Sequence, residues 1–185
     1  MTGIDKAPLR ARLRAQRLAF APSAPAIAPP PTFLDRLADG GIIASYLPMA
    51  GEADPARLAE AALDRGYRLA LPHVTTRAAP MRFLAWTVGD PLDDGPFGLL
   101  QPRADSCELN PDIVLTPLIG FDRAGNRLGQ GAGYYDRAFA RLAAVLRIGV
   151  AWSMQQIDTL PTDPWDVPLH GIVTERGWID PEPTA

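Results

Sequence analysis

Short apolar segments alternate with segments of helical periodicity along most of the chain. Runs of mainly apolar residues predict buried strands at 42–47, 67–71, 81–86, 112–116, 147–151 and 171–174. Between these runs, one helix is predicted from a cap at Asp54 to Arg65, and another over about 134–145. Strands that alternate with helices predict an α/β fold with a largely parallel sheet.

The residues ahead of the first strand have a different pattern. Over residues 5–19, apolar side chains recur at helical spacing beside arginines, and Pro8 lies in the first turn, where a missing N–H is tolerated. A proline-rich connector over 21–31 is predicted to be extended. Thr32 is expected to cap a short helix that ends at residues 39–41.

Composition is that of an ordinary globular protein, with 185 residues of which 47% are apolar and 21% are charged. This length favours a single domain over residues 1–185. The one cysteine, Cys107, cannot form a disulfide within the chain. One cysteine and two distant histidines also exclude the common structural zinc patterns.

The net charge of −3 argues against a general nucleic-acid-binding protein. The start of the chain is nevertheless basic, since five cations face one carboxylate over residues 5–17. No apolar run is long enough to span a membrane, and the basic segment lacks the apolar stretch of a secretory signal. Its arginines leave a mitochondrial transit peptide open, although Asp5 and the scarcity of serine disfavour one. We expect a soluble, cytoplasmic protein without a membrane or nucleic-acid partner.

The segment 117–133 is the clearest candidate for a binding site. It lies between an apolar strand and a predicted helix and contains five glycines. Glycines let backbone N–H groups turn toward a ligand, and a helix N-terminus favours negative charge, so the segment is suited to bind phosphate. The alternative is an ordinary connecting loop with turn glycines.

Two common phosphate-binding motifs do not match this segment. Gly120 and Gly125 have the glycine spacing of a P-loop, but Asn126 and Arg127 replace its Lys-Ser/Thr pair. The three glycines over 129–133 lack the G-x-G-x-x-G spacing of a dinucleotide-binding fold. A phosphate site here must therefore have another architecture.

Two charged residues next to these glycines each have two interpretations. Asp136, at the start of the predicted helix, is placed either to offset the helix dipole or to ligate Mg²⁺. Arg127 is either a bidentate phosphate ligand or a surface arginine.

The run GFDRAGNRLGQGAGYYDR, residues 120–137, resembles the signature of the 5-formyltetrahydrofolate cyclo-ligase family. Less specific blocks follow the family's order: the Lys6–Arg10 segment, Leu47 followed by Glu52, Phe97-Gly98 before Gln101-Pro102, and Asp166–Leu169 followed by Ile172–Glu175. The resemblance implies a single-domain, three-layer sandwich with a largely parallel central sheet, similar to the phosphosugar isomerase and CoA-transferase folds.

The family's activity is the ATP- and Mg²⁺-dependent cyclisation of 5-formyltetrahydrofolate to 5,10-methenyltetrahydrofolate. The resemblance thus implies a ligase of folate one-carbon metabolism that acts on small molecules, and we expect a monomer. A non-catalytic relative that binds nucleotide or folate as a regulator is the alternative. A phosphosugar isomerase or CoA-transferase is suggested by fold analogy alone, which is weak support.

The resemblance also implies roles for particular residues. ATP would be held by Lys6, Ala7, Pro8, Leu9, Arg10, Arg127, Leu128, Gly129, Gln130, Gly131, Ala132, Gly133, Tyr134 and Tyr135. Of these, Lys6 and Arg127 would be catalytic. The folate would contact Leu47, Glu52, Phe97 and Tyr134, and Mg²⁺ would be held by Asp136 and Asp166.

Some of these residues have simpler explanations. Lys6 would otherwise be a solvated helix residue and Glu52 an exposed loop acid, while Phe97 and Tyr135 would be core residues. The chain also departs from the family pattern at three positions: Gln130 replaces a frequent Arg, Ala132 replaces a Gly or Lys, and His170 replaces a common Asp. The last departure favours Asp166 over position 170 as the metal ligand.

Overall fold

A seven-stranded sheet forms the centre of the computed structural model, which describes residues 5–182. Its strands are β1 (Gly41–Ala44), β2 (Tyr67–His73), β3 (Arg82–Ala85), β6 (Ile113–Pro117), β9 (Leu146–Val150), β10 (Gly171–Thr174) and β11 (Gly177–Ile179). They lie in the order β11-β10-β9-β6-β1-β2-β3. The five inner strands are parallel, and only the edge strands β3 and β11 are antiparallel to their neighbours. The predicted largely parallel sheet is confirmed.

Four α-helices accompany the strands in the described part of the chain: α1 (Ala7–Phe20), α2 (Pro31–Leu34), α3 (Ala56–Leu63) and α4 (Tyr134–Arg141). Ile43 of β1 packs with Phe33 of α2 and Leu58 of α3 in one buried cluster. The adjacent Ala44 belongs to a second cluster with Phe139 of α4. Successive residues of a strand point to opposite faces, so the sheet has helices on both sides. This is the expected three-layer sandwich.

The first helix packs at the side of this sandwich rather than over a face of the sheet. Leu13 of α1 is buried against Ile119, Leu128 and Leu160. A Cβ atom at Gly120 would lie 2.7 Å from Cδ1 of Leu13, so the close approach requires a glycine there. Helix α1 is thereby fixed against the glycine-rich segment.

Two small hairpins were not predicted from the sequence. β4 (Leu92–Asp94) pairs with β5 (Leu100–Pro102), and β7 (Gly120–Phe121) pairs with β8 (Arg127–Leu128). The second hairpin lies inside the glycine-rich segment. Its turn is organised by Asp122, whose carboxylate accepts hydrogen bonds from the backbone N–H groups of Ala124, Asn126 and Leu160.

Several predicted boundaries were wrong. Thr32 lies inside α2 instead of capping it, because Pro31 already occupies the first helical position after Pro30. The first strand ends at Ala44, short of the predicted residue 47, and α4 ends at Arg141. Within residues 5–182, the structure contains no helix with the length and apolar character needed to cross a membrane.

The edge of the sheet depends on one close contact. A Cβ atom at Gly171 of β10 would overlap the indole ring of Trp178 on β11. We expect Gly171→Ala to lower the free energy of unfolding by about 1–3 kcal/mol, because overpacking forces the ring or the strand to shift. Denaturant titration measures this change. Gly129→Ala is the control, since nothing lies within 4 Å of its Cβ position. An equal loss in both variants would contradict the packing explanation.

Candidate functional site

A cleft of about 570 Å³ opens beside the carboxyl ends of the central parallel strands. Leu47 follows β1, Val74 follows β2, and Pro117 ends β6, and all three line the cleft. The glycine-rich loop 129–133, helix α1 and the turn 163–166 complete its walls. Ligands of open α/β sheets bind at this edge, because the loops that follow parallel strands converge there.

The glycine-rich loop 129–133 is held by arginines from three separate segments. The side chains donate hydrogen bonds to backbone carbonyl oxygens as follows: Arg10 to Gly129 at 2.9 Å, Arg77 to Gly131 at 2.9 Å and Arg137 to Ala132 at 2.8 Å. No backbone N–H of this loop donates to another group of the described chain. Its N–H groups therefore remain available to an anion, as in other backbone phosphate sites.

Lys6 is a buried member of the cleft wall. Its ammonium lies 2.6 Å from Oδ2 of Asp166 and 2.8 Å from Oδ2 of Asp163. Burial by itself lowers the pKa of Lys6, but its hydrogen bonds to the two carboxylates outweigh that effect and the pKa is raised. With only 8% of its surface exposed, Lys6 is not the solvated helix residue of the simpler explanation.

Arg127 and Asp136 form a second ion pair in the cleft. Nη2 of Arg127 lies 2.7 Å from Oδ1 of Asp136, and Nη1 donates to the carbonyl oxygen of Val167 at 2.6 Å. The same Asp136 oxygen accepts a hydrogen bond from the N–H of Val167. Because Val167 directly follows Asp166, this contact places both predicted metal ligands in one part of the cleft. Arg127 is buried, not a surface arginine.

The carboxylates fit a divalent cation in their chemistry. Asp136, Asp163 and Asp166 each pair one oxygen with a cationic side chain, and their other oxygens accept no hydrogen bond within residues 5–182. Carboxylate oxygens are the ligands that Mg²⁺ prefers. The described residues contain no group of three or more ligands that would hold a metal alone. A metal here would therefore need phosphate or water oxygens as further ligands, as is usual for Mg²⁺ in nucleotide sites.

Glu52 lies at the other end of the cleft and is buried, contrary to the exposed-acid interpretation. Its Oε2 accepts a hydrogen bond from the N–H of Met49 at 3.0 Å. Its Oε1 lies 3.3 Å from Nε2 of Gln130 and 3.7 Å from Nη1 of Arg17. Only 6% of the Glu52 side chain is exposed. The carboxylate is therefore held in a fixed orientation.

Aromatic side chains complete this end of the cleft. Phe97, at the tip of the β4–β5 hairpin, is 63% exposed, so it is not a core residue. Its backbone has a φ of 64°, a left-handed conformation that is rare for a bulky side chain. Tyr134 donates from its hydroxyl to the carbonyl of Thr76. Burial, followed by the charge of Glu52, raises the pKa of Tyr135, which keeps its hydroxyl protonated.

The structure brings most of the predicted residues together at the cleft, but not all of them. Ala7, Pro8 and Leu9 do not line it, and Leu9 packs beside Leu13 instead. His170 also lies outside the cleft, where its ring contacts Arg147. Gln130 lies between two charged side chains: its amide oxygen accepts a hydrogen bond from Arg14 at 2.7 Å, and its amide nitrogen donates one to Glu52.

Several lining residues were not predicted, among them Arg14, Arg17, Arg77, Asp163 and Trp165. The spacing of Arg14 and Arg17 after Arg10 would place all three on one helix face, which is a usable signal. Asp163 precedes Asp166 by three residues, which is a weaker signal. For Arg77 the sequence contains no such signal, because only the folded chain brings it to the loop.

Comparison with known proteins finds similarity to one enzyme family. Residues 5–175 match the model of the 5-formyltetrahydrofolate cyclo-ligase family. Two similar proteins are named 5-formyltetrahydrofolate cyclo-ligase. The protein of Haemophilus influenzae is 34% identical over 71% of this chain and 74% of its own length. The protein of Escherichia coli K12 is 32% identical over 71% and 76%.

A solved structure is similar over nearly the whole chain. The NMR structure of 5,10-methenyltetrahydrofolate synthetase from Aquifex aeolicus superimposes with a TM-score of 0.65 and 29% identity. The match covers 98% of this chain and 87% of the Aquifex protein. The chain is thus similar to these enzymes in sequence and in fold.

Proposed function

The chain belongs to the 5-formyltetrahydrofolate cyclo-ligase family, and from this premise we propose that it converts 5-formyltetrahydrofolate to 5,10-methenyltetrahydrofolate with ATP. ADP and phosphate are the other products. The observation that supports the proposal is one cleft in which the loop 129–133 lies together with the buried Lys6 and Arg127 and the carboxylates of Asp136, Asp163 and Asp166. The cleft combines the groups that phosphoryl transfer requires.

ATP binds with its phosphates on the loop 129–133. The unpaired N–H groups of the loop bind phosphate oxygens, and the arginines on its carbonyls keep it in the required conformation. Lys6 and Arg127 line the same cleft as the loop and would contribute positive charge there, and both side chains are buried enough for that charge to be weakly screened. Asp136 and Asp166 would hold Mg²⁺, which would neutralise charge on the phosphate oxygens.

The folate binds at the Glu52 end. The pterin ring presents an amino group and an adjacent N–H side by side, and a carboxylate accepts from both. Glu52 suits this role because its backbone and side-chain partners fix its orientation before the ligand arrives. Phe97 and Tyr134 would contact the planar rings of the folate.

The reaction then proceeds in two steps. The formyl oxygen attacks the γ-phosphorus, the bond from that phosphorus to ADP breaks, and the formyl carbon is left with a phosphate leaving group. N10 attacks this carbon, the carbon–oxygen bond breaks, and phosphate departs as N10 loses its proton. An amide-like oxygen leaves poorly without this activation. The site needs alignment and charge stabilisation rather than a nucleophilic side chain.

A regulator that binds nucleotide or folate without turnover remains the second candidate. Such a protein has no use for buried cations and carboxylates around the γ-phosphate. The joint presence of Lys6, Arg127, Asp136 and Asp166 in one cleft therefore favours the enzyme.

The proposal predicts that ATP hydrolysis depends on the folate and is equimolar with the methenyl product. The formyl oxygen is the phosphoryl acceptor, so without 5-formyltetrahydrofolate no ADP should accumulate beyond a slow background. Parallel measurement of methenyl absorbance and ADP release checks this. Purified protein that binds ATP with Mg²⁺ present but forms no methenyl product would favour the regulator instead.

Asp136→Asn and Asp166→Asn should each raise the Mg²⁺ concentration needed for half-maximal turnover by about tenfold or more, because an amide is a weaker ligand than a carboxylate. Turnover measured against Mg²⁺ concentration tests this prediction. Asp163→Asn is the matched control for Asp166→Asn: it also removes one carboxylate from Lys6, but at a residue to which the proposal assigns no metal contact, so its Mg²⁺ dependence should change less. Thermal unfolding separates loss of folding from loss of metal affinity. Wild-type Mg²⁺ dependence in either variant would show that its residue is not a ligand.

Lys6→Ala should lower kcat/KM by about ten- to hundredfold, because a charge-assisted hydrogen bond contributes roughly 1.5–3 kcal/mol. Lys6→Arg should restore only part of the activity, since a planar guanidinium does not replace a compact ammonium. Arg12→Ala, an exposed position of the same helix, is the control and should have unchanged kinetics. Steady-state rates of the three variants, measured at a temperature where all are folded, test this prediction. Similar, small effects in both alanine variants would remove Lys6 from the proposed mechanism.

A further inference from the structure

Arg17 is a buried cation to which the proposed reaction assigns no role. It lies on α1 with 2% of its surface exposed, and it lines the cleft. Its Nη1 donates to the carbonyl oxygen of Leu118 at 3.1 Å, just beyond the end of β6. Its Nε has no hydrogen-bond partner in the described chain. Burying a guanidinium with a donor left unpaired is costly, so the position calls for a compensating interaction.

The compensation comes from Glu52. Nη1 of Arg17 lies 3.7 Å from Oε1 of Glu52, and more than nine-tenths of each side chain is buried. Burial lowers the pKa of Arg17 and the charge of Glu52 raises it, while the guanidinium remains charged at any physiological pH. Two charges out of water at this distance attract strongly, and each would be unfavourable there without the other.

Other groups near Glu52 do not replace this counter-charge. The nearby hydroxyls of Tyr46 and Tyr135 are neutral, because burial raises the pKa of both. Gln130 donates an uncharged amide hydrogen bond, and it connects Glu52 to Arg14 only indirectly. The main-chain N–H of Met49 binds the other oxygen.

We propose that Arg17 is a positioning residue for folate binding: as the buried counter-ion of Glu52, it holds that carboxylate oriented toward the pterin end of the substrate. This rests on the proposed function, in which Glu52 accepts from the pterin. Arg17 itself is anchored to the Leu118 carbonyl and acts through Glu52. Its loss leaves Glu52 buried with the uncharged donors Met49 and Gln130 but without this counter-charge, so the carboxylate is held less firmly.

The test is a comparison of kinetic constants between Arg17→Met and wild type. We expect the KM for 5-formyltetrahydrofolate to rise by about tenfold or more, while the KM for ATP stays within about twofold. Arg17→Lys, which retains a cation, should recover part of the folate affinity. A residue that only held the helix in place would affect both substrates, because α1 also supplies Lys6 and Arg10 to the phosphate end.

Leu13→Ala is the matched structural control. Leu13 is buried on the same helix and fixes it against the glycine-rich segment, but it contacts neither Glu52 nor the cleft. This variant should be destabilised without a selective rise in folate KM. Equal changes in folate KM for Leu13→Ala and Arg17→Met would overturn the proposal.

A double-mutant cycle with Glu52→Gln gives the second measurement. In that background no charge remains to be positioned, so Arg17→Met should have little further effect on folate KM. Fully additive effects would also overturn the proposal. The double variant lacks both buried charges, so it keeps the test available if Arg17→Met alone does not fold. Failure of wild-type turnover contradicts the proposed function, whereas normal turnover with unchanged folate KM in Arg17→Met contradicts only the role of Arg17.

Discussion

The site depends on charged side chains of α1, and of Lys6 directly before it, that are wholly or partly removed from water. Lys6 reaches two carboxylates of the turn 163–166, Arg10 reaches a carbonyl of the glycine-rich loop, and Arg17 reaches Glu52. A buried ion is tolerated only with a partner, so these contacts favour the orientation of the helix in which Lys6 and Arg17 each lie beside a carboxylate. The apolar contact of Leu13 holds α1 against the glycine-rich segment. The ion pairs of Lys6 and Arg17 then determine the position of the helix along its own axis.

The Gln130 side chain connects the two ends of the cleft. Gln130 belongs to the loop proposed to bind phosphate, yet its side chain contacts both Arg14 and Glu52. An amide can accept from a guanidinium and donate to a carboxylate at once, which no cationic side chain can do. The glutamine that departs from the family pattern is therefore well matched to its neighbours here, and Arg14 brings positive charge to this part of the cleft from the helix.

The sheet could be predicted from the sequence because its inner strands are apolar on both faces and each forms a short continuous run. The hairpin β4–β5 could not, since residues such as Asp93 and Asp94 are exposed and show no periodicity. At the site, residues within the 120–137 motif were found because this run resembles a specific family signature. Arg77 was missed because its partner Gly131 is far away in sequence and only the folded chain brings the two together. For Arg17 and Asp163 the spacing gives a signal, but their partners Glu52 and Lys6 are known only from the fold.

Phe97 has a consequence for the relation between stability and activity. A non-glycine residue in a left-handed conformation costs about 1 kcal/mol or more, and here the cost falls on a ring that is largely exposed. Glycine at this position would relieve the backbone strain but would remove the aromatic surface from the mouth of the cleft. Selection for thermal stability alone would therefore favour losing the ring, and selection for ligand contact would favour keeping it. The strained hairpin tip is a place where these two pressures oppose each other in a single residue.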